Sequence, residues 1–241
     1  MSEPVPVPLE AAALFPVKQF PLVVRYADWL TGQGVLRGLI GPREAPRIWE
    51  RHLLNCAAVA PMFTDGSSVA DIGSGAGLPG LVIAMARPDV SVTLVEPLLR
   101  RTTFLDEVVD DLGLTNVEVV RSRADALHGK RLFDYVTSRA VAPLGRLLQW
   151  SMPLVAPGGA MVAMKGGSVA GEIADAAGVL ASLGCAGPTV LSVGEGETRT
   201  SVLTVAWADP ARVGSGSARR STKPVSTNRP KRGPGATGRR R

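Results

Sequence analysis

Residues 69–80 read Val-Ala-Asp-Ile-Gly-Ser-Gly-Ala-Gly-Leu-Pro-Gly, a short apolar run that breaks into four glycines within eight residues. Glycines this dense let the backbone enter left-handed conformations and leave no side chain between it and a neighbouring group. Pro79 stands at an early helical position, where the N–H it lacks would have had no intrahelical partner. The residues that follow are apolar and helix-compatible. A strand running through a glycine turn into a helix is the opening of a βαβ unit, which commits the chain to a parallel sheet with helices on its faces.

The rest of the chain extends that pattern. Short apolar runs at 68–72, 90–95, 117–120, 133–137, 160–165, 189–193 and 201–206 read as strands, with helical stretches at 78–86, 98–112, 143–152 and 169–183. Strands apolar on both faces predict a doubly wound sheet. The last two have no long helix between them and are expected to form an antiparallel pair at one edge. Before residue 65 the chain reads as helical: Phe20, Val23, Val24, Ala27 and Leu30 line one face, and Ile48, Leu53, Leu54, Ala57 and Ala58 line another, with Trp49 and His52 nearby. The expected organisation is an N-terminal helical region (1–65), an α/β domain (66–208) and a tail (209–241).

Charge separates the tail from the rest. The chain carries a net +6, yet residues 212–241 hold ten of its 27 Lys/Arg and no acid, so residues 1–211 carry 17 basic against 21 acidic residues, a net −4. Ser, Gly, Pro, Thr and Arg dominate the tail, which therefore buries too little apolar surface to offset its ordering entropy and is expected to be disordered. Flexible Lys/Arg density attracts phosphates without specificity, or serves only solubility. Two cysteines, two histidines and no Cys/His pair at ligand spacing argue against a disulfide framework and a structural metal. No apolar run approaches the ~20 residues of a membrane span, and the N-terminus lacks a secretory pattern, so a cytoplasmic protein without a membrane partner is expected.

Two ligand readings share the glycines. Gly73, Gly75 and Gly77, with Ser74 between them, give G-x-G-x-G, the turn that cradles S-adenosylmethionine. Gly75, Gly77 and Gly80 give G-x-G-x-x-G, the dinucleotide fingerprint. Either expects an acid at the end of the second strand, and Glu96 stands nineteen residues after Gly77, placed for ribose hydroxyls. Asp71 tips the balance to the methyl donor: a carboxylate there can hold the donor's amino-acid part and would repel a pyrophosphate. Ala124-Asp125, just past the third strand, is where adenine contacts are expected.

The loop after the fourth strand reads Thr137-Ser138-Arg139-Ala140-Val141. It is neither the Asp/Asn-Pro-Pro-aromatic motif that orients an exocyclic amine nor a Pro-Cys nucleophile. A ring nitrogen such as guanine N7 carries an in-plane lone pair and needs no base, so catalysis reduces to positioning and desolvation. Arg139 suits such a site as a donor to the methyl donor's carboxylate or to the acceptor, a structural ion pair being its alternative. Lys165 ends the fifth strand on the same crevice, and the two are the catalytic candidates. Arg47, Arg51 and Asn55 at i, i+4 and i+8, with His52 beside them, form a polar stripe that either meets RNA or is a solvated helix face.

These residues resemble the RsmG (GidB) family of bacterial 16S rRNA guanine-N7 methyltransferases. The resemblance runs over about residues 20–207 and rests on Arg51-His52-Leu-Leu-Asn55-Cys56, Asp71-Ile-Gly-Ser-Gly-Ala-Gly-Leu-Pro-Gly80, Leu99-Arg-Arg-Thr-Thr-Phe-Leu105, Ser138-Arg139-Ala140 and Met164-Lys165-Gly166. It implies a class I S-adenosylmethionine-dependent methyltransferase fold with a seven-stranded, mostly parallel doubly wound sheet. It also implies a cytoplasmic, metal-free, monomeric enzyme acting on N7 of one guanosine in the 530 loop of 16S rRNA, free or in the small ribosomal subunit. Loss of that activity in the family is linked to low-level streptomycin resistance. The donor contacts it carries over are Gly73, Leu78, Ala124, Asp125 and Arg139, with Glu96 at the ribose. Many members have Asp-Ser where this chain has Asn55-Cys56, and residues after about 211 lie outside the resemblance. The competing expectations are an NAD(P)-dependent oxidoreductase and a non-catalytic RNA-binding protein on a methyltransferase fold.

Overall fold

A computed structural model describes residues 5–139, 141–166, 169–213 and 219–220. The strands are β1 (Ser68–Ile72), β2 (Ser91–Val95), β3 (Val117–Val120), β4 (Arg131–Arg139), β5 (Val155–Lys165), β6 (Thr189–Val193) and β7 (Thr200–Ala206). They lie in the order β3-β2-β1-β4-β5-β7-β6. The pairs from β3 through β5 are parallel, whereas β5–β7 and β6–β7 are antiparallel. The expected edge pair is therefore present, with β7 placed between β5 and β6. A two-residue strand, β8 (Arg219–Arg220), lies beside Arg131 and Leu132 of β4. The remaining tail residues, on which the expectation of disorder chiefly rests, lie outside the described residues, as does Ala140.

The helices are α1 (Phe20–Trp29), α2 (Asn55–Ala57), α3 (Gly80–Ala86), α4 (Leu99–Leu112), α5 (Leu144–Ser151), α6 (Val169–Asp175) and α7 (Ala177–Leu183). The single helix expected at 169–183 is thus two, broken at Ala176. All five residues of β1 are buried, as its central place between two helical layers requires. On one face β1 and β2 pack with α3, α4 and the N-terminal segment, whose Tyr26, Trp49 and Phe63 join Leu81, Met85 and Phe104 in one apolar cluster. On the other face Phe133, Leu147, Leu148 and Met161 form the second. Among the described residues no helix is long and apolar enough to cross a membrane.

The strand order reverses between β1 and β4, which both neighbour one another and lead outward in opposite directions. In open α/β sheets the crevice beyond the carboxyl ends of such strands is where ligands bind. Here the glycine loop leaves the end of β1, and Arg139 ends β4 beside it.

Candidate active site

The loop between β1 and α3 is held from several directions. Gly73 N–H donates to Val95 O at 2.8 Å, Ser74 Oγ donates to Asp71 O at 2.8 Å, and the Tyr26 hydroxyl of α1 reaches Ala76 O at 2.8 Å. Gly77 has φ +100°, and a Cβ there would lie 2.4 Å from Leu81 Cδ1 and 2.9 Å from the Tyr26 hydroxyl. At Gly80 the constraint is space, since a Cβ would lie 2.3 Å from Leu94 Cδ2 and 2.8 Å from Asp71 Oδ2. The glycines therefore serve tight packing as well as the turn.

Above the loop lies a cavity of about 890 Å³, within the range of small-molecule sites. Gly73, Ser74, Gly75, Leu78, Glu96, Ala124, Asp125 and Arg139 all line it. Glu96 is 1% exposed; its Oε2 accepts from Gly75 N–H at 3.1 Å and from Arg101 Nη1 at 3.3 Å, and its Oε1 accepts from Leu98 N–H at 3.1 Å. These donors hold the carboxylate at the end of β2. Asp71 and Gly77 do not line the cavity. Asp71 is fully buried beneath the loop, where Oδ2 accepts from Gly80 N–H at 3.0 Å and Oδ1 has no partner. The expectation that it faces the ligand gives way to an underlying role: it ties the first amide of α3 to the end of β1.

Burial pushes the Asp71 carboxyl up to about 7, against the lowering by the Gly80 amide, Ser74 and the Arg139 charge. The native state thus keeps a proton that the unfolded chain, with an aspartate pKa of about 3.9, has already lost, so this group makes stability fall as pH rises from about 4 to 7. We expect Asp71→Asn to gain stability relative to the parent between pH 5 and pH 8, by no more than about 1.4 kcal/mol per pH unit. Urea unfolding at the two pH values measures it, and a constant difference between the chains would disprove it.

A second cavity, of about 570 Å³, adjoins the first and shares Arg51, Arg139 and Val141 with it. Asn55 and Lys165 line this one. Lys165 Nζ donates to Glu172 Oε2 at 2.7 Å and to Ala142 O at 3.2 Å, tying the segment after Arg139 to α6. The Asn55 amide donates to Arg51 O at 3.2 Å, which leaves its Oδ1 as an acceptor without a partner. His52 lines the first cavity. Arg47 lines neither and is exposed.

Of the polar stripe expected for Arg47, Arg51 and Asn55, the last two line the second cavity together and Arg47 does not join them. Ala45–Arg47 is a 3₁₀ turn and Trp49–Leu54 a π turn before α2, and the change from i+3 to i+5 bonding between them alters the angle per residue, so Arg47 leaves the face that Arg51 and Asn55 share. Glu44, Arg101 and Tyr26 also build the site, and sequence reading missed all three. Arg101 lay within a motif already noted; Glu44 and Tyr26 carry no local signal, because their partners are distant in the chain. Cys56 is buried, which pushes its thiol up to about 11 and leaves it unsuited to act as a nucleophile at neutral pH. Among the described residues no group of three His, Cys, Asp or Glu side chains gathers as metal ligands would.

The profile of the GidB family, described as rRNA small subunit methyltransferase G, matches residues 19–201. The chain is 60% identical over 209 residues to the ribosomal RNA small subunit methyltransferase G of Nocardioides sp., covering 86% of this chain and 84% of that protein. It is 48% identical over 240 residues to the protein of the same name from Kineococcus radiotolerans, covering 98% and 92%. Among solved structures, a SAM-dependent O-methyltransferase from Thermotoga maritima superposes with a TM-score of 0.51 at 12% identity, over 64% of this chain and 65% of that one. The ribosomal protein L11 methylase of Lactobacillus delbrueckii gives 0.50 at 16%, over 64% and 76%. At such identities these likenesses show the class I methyltransferase fold.

Proposed function

We propose, from the premise that this chain belongs to the GidB family of rRNA small subunit methyltransferases, that it transfers a methyl group from S-adenosylmethionine to N7 of a guanosine in the 530 loop of 16S rRNA. The observation that carries the reading is the pair of adjoining cavities at the switch point of the sheet, with Arg139 in the wall common to both. The first fits the donor. Glu96 presents a buried carboxylate suited to ribose hydroxyls, Ala124 and Asp125 line the side assigned to an adenine, and Gly73 and Gly75 offer bare backbone. The bound donor would supply an electrophilic methyl on a sulfonium sulfur.

The dinucleotide alternative is disfavoured by Asp71. A pyrophosphate would seek the free amides at the start of α3, and the Gly80 amide is already taken by a carboxylate. The second cavity is read as the place of the acceptor base. Arg51, Arg139 and Lys165 bring donors suited to guanine O6 and phosphate, and Asn55 lines the cavity beside them. Since guanine N7 needs no deprotonation, the residues act by orientation and water exclusion. Arg139 and Lys165 are assigned to that work. We place the enzyme in the cytoplasm as a monomer.

Tritiated-methyl transfer from S-adenosylmethionine to naked 16S rRNA and to small subunits, with cleavage mapping at N7-methylguanosine, tests the reading. Incorporation at one 530-loop guanosine is expected; binding without incorporation would leave an RNA-binding protein, and thermal stabilisation by NAD alone would leave an oxidoreductase. Removing residues 212–241, which lie beyond the family match, is expected to weaken RNA association and flatten its salt dependence while leaving donor affinity unchanged. Filter binding between 50 and 200 mM salt reads this, and an unchanged slope would assign the tail no part in RNA association.

A further inference from the structure

The wall between the cavities contains a chain of polar contacts drawn from three parts of the fold. Arg139 Nη1, at the end of β4, lies 2.7 Å from His52 Nδ1. His52 Nε2 lies 3.0 Å from Oε2 of Glu44, whose Oε1 accepts from Arg51 Nη1 at 3.1 Å. Both ends of the chain, Arg139 and Arg51, line both cavities. A guanidinium has only donors, so Nδ1 must be the acceptor, and the ring is then the neutral imidazole with its proton on Nε2, donated to Glu44.

We propose that His52, with Glu44 behind it, is the positioning residue that holds Arg139 at the junction of the two cavities, and that it does so only as the neutral Nε2–H imidazole. The proposal rests on the reading that Arg139 meets donor or acceptor. The groups facing the imidazole are Arg139 from β4, Glu44 from the preceding segment and Arg51 from its own turn. Burial and the Arg139 charge lower the imidazole's affinity for a second proton, while Glu44 raises it by less. When that proton does bind, Nδ1 becomes a donor pointing at a guanidinium, and Arg139 loses its anchor. The acidic side of the rate profile then reports His52, although His52 touches no reacting atom.

The chain has only two histidines, His52 and His128, so long-range ¹H–¹⁵N spectra resolve the imidazoles without a full assignment. At neutral pH His52 is expected as the Nε2–H tautomer, with an Nδ1 resonance that shifts in Arg139→Ala. An Nδ1–H tautomer or an imidazolium at neutral pH would overturn the proposal, whether or not the protein transfers methyl groups. In single-turnover assays His52→Ala is expected to lose roughly 10²-fold in rate at neutral pH by letting Arg139 stray. His52→Asn keeps an acceptor facing Arg139 that does not titrate, so it is expected to retain most of the rate and to lack the fall at acid pH. Wild-type rate and an unchanged profile in both folded variants would also overturn it. A parent protein that neither binds S-adenosylmethionine nor transfers methyl would instead defeat the functional reading, leaving the spectra to decide the contact.

Discussion

Arg139→Ala is expected to lower methyl transfer by roughly 10²-fold while leaving the protein folded, the magnitude that follows misplacement of reacting groups by about an ångström. Arg139 ends β4 in the wall of both cavities, and its contact with His52 holds it there. Without the guanidinium, His52 Nδ1 loses its donor, at a cost of about 1 kcal/mol, too little to unfold a domain of this size. Arg139→Lys keeps the charge but loses the planar fork and should recover only part of the rate. Single-turnover kinetics alongside a thermal melt separates the two effects. An alanine variant with parental turnover would place the site elsewhere.

The largest structural effect is expected at Gly77→Ala. The backbone there is left-handed at φ +100°, a region that disfavours any side chain by about 1–2 kcal/mol. The added methyl would also meet Leu81 and the Tyr26 hydroxyl, and such overpacking costs about 1–3 kcal/mol. Together they predict destabilisation of about 2–5 kcal/mol, read as a lowered urea midpoint with an unchanged slope. Tyr26 would be pushed from Ala76 O, loosening the loop over the first cavity, so donor affinity should fall as well. A variant with parental midpoint and affinity would show that the loop tolerates repacking.

Features confined to one βαβ unit were legible in the sequence. The strand, the glycine turn, α3 and the acid nineteen residues after Gly77 are set by turn chemistry and by the period of apolar residues, which act over a few positions. Boundaries were less so: β4 and β5 begin earlier than their apolar runs, at Arg131 and Val155, because ladder bonds to a neighbour extend a strand through polar and glycine residues. The stripe at Arg47, Arg51 and Asn55 lost Arg47 because the helical period changes between it and Arg51. Asp71 was found by position, but its direction was not: only the fold shows it turned under α3 rather than toward the cavity.

The sequence by itself thus determined the parallel α/β sheet, the glycine loop at the end of β1 as the candidate site, the family, and the separation of an acidic body from a basic tail. All of these are local patterns or sums over composition. The tertiary structure decided which polar groups meet. Tyr26 and Ala76 are 50 residues apart, and His52 and Arg139 are 87 apart, so no spacing rule links them. They meet because one apolar cluster packs the N-terminal segment against the face of the sheet, bringing His52 within reach of the end of β4. Burial then shifts what the residue names leave open, pushing the Asp71 carboxyl up to about 7 and lowering the affinity of the His52 imidazole for a second proton.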